Sequence, residues 1–135
     1  MNKRILVGVA LWGWLMASGS LMAHHSLAGV YDMKAEKEIA GTIAKVQFTN
    51  PHGSLSVAVK NADGTSTEWV FTLGSASALA QRGIGKIGAN ALHTGDEVKI
   101  KFIPAKDGAP LGFLKSVTYP DGRVIMVSGG TNPNE

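Results

Sequence analysis

The stretch SLSVAVKNADGTSTEWVFTL, residues 54–73, decides the fold, because it contains two predicted strands and the turn between them. On both sides of Asp63-Gly64, apolar residues alternate with polar or small ones, which is typical of strands that bury one face. The alternating residues are Leu55, Val57 and Val59, then Trp69, Phe71 and Leu73. An Asp-Gly pair suits the positive φ angles of a hairpin turn. The segment therefore predicts a β-hairpin with a strongly apolar inward face.

The same alternation predicts further strands on both sides of this hairpin. They cover residues 39–48, 95–102, 111–119 and, as a short terminal strand, 124–127. In the first of them the apolar parity changes after Ile43. A β-bulge near Ala44-Lys45 explains this change.

A short helix is predicted between the third and fourth strands. Ser75 suits the N-cap of a helix over residues 76–82, and Gly83 suits its end. Residues 84–94 are rich in glycine and predict an irregular connection. Three strands, a helix and two more strands follow the order of an OB-type, five-stranded Greek-key barrel. The sequence therefore predicts an all-β small barrel, with a small β-sandwich as the alternative because strand order alone does not determine connectivity.

The first 23 residues have the pattern of a secretory signal peptide. Lys3 and Arg4 form a positive region, and an apolar run over residues 5–16 follows it. This run is 12 residues long, whereas a membrane-spanning helix needs about 20. Cleavage after Ala23 is favoured, and cleavage after Gly19 also satisfies the preference for small residues. The leader predicts a soluble, exported or periplasmic protein with no membrane span after cleavage.

Cleavage after Ala23 leaves one predicted domain over residues 24–128, which begins with an arm of no clear period, and a flexible tail over residues 129–135. The mature chain then has 11 basic and 10 acidic residues, because two basic residues leave with the leader. A nearly neutral domain lacks the basic surface of a nucleic-acid binder, so no nucleic-acid partner is predicted. The chain has no cysteine and therefore no disulfide framework.

Three of the histidines suggest a metal site. Cleavage after Ala23 makes His24 the N-terminal residue, whose α-amino and ring nitrogens form a chelate. His25 and His52 offer further imidazole nitrogens, and a set of nitrogen donors suits Cu(II). Zinc is less favoured, since it usually takes three or four side-chain ligands. The alternative is structural, because the segment Asn50-Pro51-His52-Gly53 is also good turn chemistry.

The loops of the predicted barrel supply the remaining candidates. OB-type barrels usually bind ligands through strands 2 and 3 and the loops between strands 1 and 2 and strands 4 and 5. Asn50 lies in the first of these loops, and Lys106 and Asp107 lie in the second. Asp107 precedes a glycine, so a turn-forming role is its alternative. His93 is predicted to be a surface histidine.

Several short segments, spread in order over the mature chain, carry a resemblance to a known family. They are His24-His25-Ser26-Leu27-Ala28, Gly41-Thr42-Ile43, Asn50-Pro51-His52, Trp69, Leu79, Arg82-Gly83, Gly95-Asp96-Glu97-Val98, Lys106-Asp107-Gly108 and Asp121-Gly122-Arg123. Together they resemble an uncharacterised family of small exported bacterial proteins, classed as a domain of unknown function. Leu27 and Ile84 depart from the family pattern, which usually has phenylalanine and tryptophan there. The resemblance implies export and a small β-rich domain, and no established activity.

The function that we predict from the sequence is that of an exported, non-catalytic binding module. In its most specific form it binds Cu(II) through His24, His25 and His52. In its looser form it binds a small molecule or an envelope protein without a metal. A copper-dependent enzyme is the less favoured alternative, because no nucleophile, base or acid occurs at a recognisable spacing.

Overall fold

The computed structural model describes residues 27–128. Its strands are β1 (Lys37–Gln47), β2 (Ser54–Lys60), β3 (Ser66–Thr72), β4 (Ile84–Gly85), β5 (Asn90–Ala91), β6 (Glu97–Pro104), β7 (Leu111–Thr118) and β8 (Val124–Met126), with the helix α1 (Ala76–Gln81) after β3. The chain divides into two units after Val30, and the described part of the first unit, residues 27–30, is helical. The predicted leader, His24, His25 and the predicted tail lie outside the described residues. None of the helices in residues 27–128 is long and apolar enough to cross a membrane.

Five strands form a closed barrel. Each strand pairs with the next in the order β1, β2, β3, β7, β6 and back to β1. All of these pairs are antiparallel except β3–β7, which is parallel and closes the ring. β8 lies outside the ring and pairs with β7. This is the connectivity of an OB-type barrel, so the predicted small OB-like barrel is confirmed, and the β-sandwich alternative is wrong.

The predicted bulge in β1 is present and helps to close the barrel. Ile43 pairs with Val57, but the next pair is Lys45 with Ser56, so Ala44 is the extra residue. A bulge bends a strand and increases its twist. The first half of β1 pairs with β6 and the second half with β2. The bend therefore allows β1 to pair with β6 along its first half and with β2 along its second half.

The barrel interior is filled by the apolar residues that alternate along the strands. The fully buried residues of these strands are Ile43, Leu55, Val57, Phe71, Ile100, Phe102, Leu114 and Val117. Leu73, Leu79 of α1 and Ile125 of β8 are fully buried as well and extend the same core. The rings of Phe71 and Phe102 meet edge to face with centroids 5.0 Å apart. Trp69 is partly buried, and its ring centroid lies 5.4 Å from that of Phe102. It therefore packs on the core, as predicted from its position two residues before Phe71 on the same side of the strand.

The helix α1 begins where the sequence predicts, at Ala76, and ends at Gln81, one residue before the predicted end. The Ser75 hydroxyl accepts a hydrogen bond from Ala78 N at 3.2 Å, which satisfies one of the free amides of the first turn. Gly83 follows the last turn with φ of +69°, a conformation that favours glycine. Leu79 is the buried residue of α1 and joins the barrel core.

The connection over residues 84–94 is more ordered than predicted. Ile84 pairs with Asn90, and Gly85 pairs with Ala91, as a two-residue parallel ladder. A ladder this short has no alternation for a sequence pattern to reveal, which is why it was not predicted.

Candidate functional site

The β1–β2 loop, residues 48–53, is bound to the first turn of α1. The Thr49 hydroxyl donates to the His52 carbonyl at 2.8 Å, and the Thr49 carbonyl accepts from Ala76 N at 3.1 Å. The Asn50 Oδ1 atom accepts from Ser77 N and from Ser77 Oγ, both at 3.4 Å. Asn50 is therefore a residue that attaches the loop to the helix. This is a more specific role than turn formation alone.

His52 is held on a fixed backbone while its ring faces solvent. Its carbonyl accepts from the Thr49 hydroxyl at 2.8 Å. After His52, Gly53 N donates to the Gly74 carbonyl at 3.0 Å, and a Cβ atom at Gly53 would lie 2.5 Å from the Gln47 carbonyl oxygen. His52 is exposed, and its imidazole forms no hydrogen bond or ion pair with any residue in 27–128. The loop therefore presents an available nitrogen donor.

The β6–β7 loop, residues 105–110, is a turn built around Asp107. The Asp107 Oδ1 atom accepts from Ala109 N at 3.0 Å, and Gly108 has φ of +78°. These contacts correspond to the turn-forming alternative for Asp107. Lys106 is exposed on the same turn.

The two candidate loops do not form one site. β1 and β6 are antiparallel, so the loops that follow them lie at opposite ends of this strand pair. β3 borders both loops at different points, because Val70 N donates to the Pro110 carbonyl and Leu73 N donates to the Gly53 carbonyl. Across residues 27–128, no three His, Asp or Glu side chains are grouped in a way that could hold a metal ion.

The outer face of β2 and β3 is the usual binding face of an OB barrel. Here it carries the small uncharged side chains of Ser54, Ser56, Ala58, Val70 and Thr72, and also the charged side chains of Lys60 and Glu68. The buried Tyr31, from the arm before β1, lies on this face, and its hydroxyl is 2.8 Å from the Thr72 hydroxyl. Stacking on aromatic side chains is the usual means of holding single-stranded bases, and Tyr31, which is 5% exposed, offers little surface for stacking.

A polar cluster that the sequence analysis missed joins the 84–94 connection to the barrel. The Tyr119 hydroxyl donates to the Ala91 carbonyl at 3.1 Å and to Asp96 Oδ2 at 3.3 Å. The same carboxylate accepts from His93 N at 3.2 Å. The Arg123 guanidinium lies 4.0 Å from the centre of the Tyr119 ring. Asp96 was predicted only as the start of a strand, and its partners are too distant in sequence for a local pattern to reveal.

Burial of Tyr119, together with the Asp96 charge, raises the pKa of its phenol to about 12. In the unfolded chain this pKa is about 10, so the stabilising contribution is complete below pH ~10. This contribution is lost as the pH rises from about 10 towards the pKa of the folded protein, because the phenol of the unfolded chain ionises first. We expect the free energy of unfolding to fall more steeply between pH 10 and 12 in the wild type than in Tyr119→Phe. Urea unfolding of both proteins at several alkaline pH values measures this, and equal slopes would contradict it.

Comparison with known protein families gives a match. A family model for a family of unknown function, DUF6152, matches residues 14–114. No curated protein and no solved structure matches the sequence. The matched residues include four of the five barrel strands and the beginning of the fifth, β7. Because this match covers well over half of the chain, the protein belongs to the DUF6152 family of unknown function.

Proposed function

We propose that the protein is an exported, non-catalytic binding module that holds one Cu(II) ion through His24, His25 and His52. One observation carries the proposal. His52 is exposed on a loop whose backbone is fixed by hydrogen bonds on both sides, and its imidazole has no partner within residues 27–128. A metal ligand that is held in place before the metal arrives loses little freedom on binding.

The other nitrogen donors come from the segment before the barrel. A site that includes His52 needs donors from elsewhere, since the part of the chain from residue 27 to 128 offers no three-ligand group. His24 and His25 supply two imidazoles, and cleavage after Ala23 adds the α-amino group of His24. Nitrogen donors of this kind suit Cu(II), which has the highest affinity in the divalent series. His93 is less available, because its ring lies 3.2 Å from the Lys86 carbonyl and 3.7 Å from Asp96.

The length of the chain between the donors is compatible with this proposal. Tyr31 is fixed on Thr72, and Thr72 pairs with Ser54, two residues after His52. The seven residues from His24 to Tyr31 span at most about 25 Å when fully extended. This tether therefore limits the distance between His24 and Tyr31 to about 25 Å.

The test is the intact mass and copper affinity of protein exported by its own leader. We expect a mature mass that begins at His24 and retains one equivalent of Cu(II). His24→Ala and His52→Ala should each raise the Kd for Cu(II) at least ~10-fold, which corresponds to about 1.4 kcal/mol. His93→Ala is the matched control, since it removes an exposed imidazole outside the proposed site, and its affinity should equal that of the wild type.

Three results would overturn the copper site. The first is a mature chain that begins at Ser20, which removes the terminal chelate. The second is loss of the metal on buffer exchange. The third is an affinity for Cu(II) that is equal in His24→Ala, His52→Ala and His93→Ala. Copper-dependent turnover that disappears in His24→Ala, with an unchanged circular dichroism spectrum, would instead make the protein an enzyme. If the protein is folded but binds no copper, the remaining candidates for its ligand are a small molecule and an envelope protein.

A further inference from the structure

A groove of about 550 Å³ lies on the outer surface of the barrel. β1 forms its floor, β2 and β6 flank that floor, and the β7–β8 turn adds a wall. This volume is within the range of about 300–1,000 Å³ that small-molecule sites occupy. Neither His52 nor any residue of the β6–β7 loop lines the groove. The groove is therefore a separate feature from the proposed copper site.

Two lysines flank the floor of the groove. Ala40 of β1 pairs with Lys99 of β6, and Lys99 pairs in turn with Thr118 of β7. On the other side of β1, Lys60 is the last residue of β2 and also lines the groove. Ala40 of β1 lies between β6 and β2 and adds only a methyl group to the lining.

The residues that line the groove carry a net charge of +1, from two lysines and one glutamate. Glu97 is the carboxylate in the lining, against the two lysines. Lys99 lies 3.9 Å from the exposed carboxylate of Glu38, a distance at which an exposed pair contributes little. Lys60 forms no ion pair with any residue in 27–128. Lys60 is thus the cation most available to a ligand.

The rest of the lining is apolar or carries hydroxyl groups. Ala40, Ala58 and Pro120 offer apolar surface, and Thr42 and Thr118 offer hydroxyl donors. A largely apolar pocket with a few polar groups suits a ligand that has an apolar body and one charged group. We propose that the groove binds a small organic carboxylate, with the carboxylate at Lys60 and the body over β1.

The test is an amide NMR titration of the ¹⁵N-labelled protein with benzoate at constant ionic strength. We expect saturable shifts at Gly41, Thr42 and Lys99, with a Kd of about 1 mM, an affinity in keeping with so small a ligand. Benzamide, which has the same shape without the charge, should bind more weakly. Lys60→Ala should raise the Kd for benzoate about fivefold.

Lys45→Ala is the matched control, because Lys45 is an exposed lysine of β1 that does not line the groove. Its Kd for benzoate should equal that of the wild type. Ala40→Phe should abolish the shifts by filling the groove, and the spectrum itself reports whether the variant is folded. The absence of saturable shifts, shifts that map to another surface, or an equal Kd for benzoate and benzamide would overturn the proposal.

Discussion

Phe102→Ala is expected to lower the free energy of unfolding by about 3–5 kcal/mol, the cost of removing a large buried ring and leaving a cavity. Phe102 is completely buried, and its ring contacts those of Phe71 and Trp69 at the centre of the barrel. A Cβ atom at Gly112 would collide with this ring, so Phe102 occupies the space that the glycine leaves. Urea unfolding followed by tryptophan fluorescence measures the loss.

Ile87→Ala is the control for the loss of an apolar side chain. Ile87 is 86% exposed, and surface substitutions usually change stability by no more than about 0.5 kcal/mol. A Phe102→Ala protein whose free energy of unfolding differs from that of the wild type by less than 1 kcal/mol would show that the ring is outside the core. An equal denaturant m-value for Phe102→Ala and the wild type would show that these two proteins expose the same surface on unfolding.

The central place of Phe102 could be predicted because inward and outward positions alternate along each strand. The same parity places Phe71 and Trp69 on the core side, and its change after Ile43 locates the bulge in β1. These are local signals, written within a few consecutive residues. The helix cap at Ser75 is of the same kind, since the cap and its amide partner are three residues apart.

The pairing of strands that are distant in sequence could not be derived in this way. Val70 of β3 pairs with Leu111 of β7, across 41 residues of chain. Alternation tells which side of a strand is buried, but it does not identify the neighbouring strand. The closed ring was predicted because the order of the strands and the helix resembles that of an OB-type barrel.

The candidate site shows the same division between local and distant information. Asn50 and Asp107 were predicted as candidates for a binding loop, and their immediate neighbours indicated turn formation as the alternative. The hydrogen bond of Asn50 to Ser77 joins positions 27 residues apart, and the separation of the two loops depends on the antiparallel β1–β6 pair. The roles of His24 and His25 stay predictions, because both residues lie outside those the structure describes.

Tyr31 is the residue whose importance was least visible in the sequence. It lies in an arm with no periodic pattern, yet it is buried and forms a β-bridge with Ala105. Its ring packs at 5.9 Å from that of Phe113, and its hydroxyl meets that of Thr72. A single anchor of this kind produces no alternation, since one apolar residue among polar ones is not a period.

Tyr31→Ala is therefore expected to lower the free energy of unfolding by about 3 kcal/mol, near the lower end of the range for buried aromatic side chains. Tyr31→Phe removes only the hydroxyl and should cost about 1 kcal/mol, the usual net value of one hydrogen bond. Urea unfolding of both variants separates the contribution of the ring from that of the hydroxyl.

A double-mutant cycle with Thr72→Val tests whether the two hydroxyls interact. We expect a coupling free energy of about 0.5–1.5 kcal/mol between Tyr31→Phe and Thr72→Val, because each substitution removes the same hydrogen bond. Additive losses would mean that the hydroxyls do not interact in solution. A cost below 1 kcal/mol for Tyr31→Ala would mean that the arm is not held on the barrel, and the seven-residue tether from His24 would then have no anchor at Tyr31. The stability of Tyr31 variants thus bears on the copper proposal as well as on the fold.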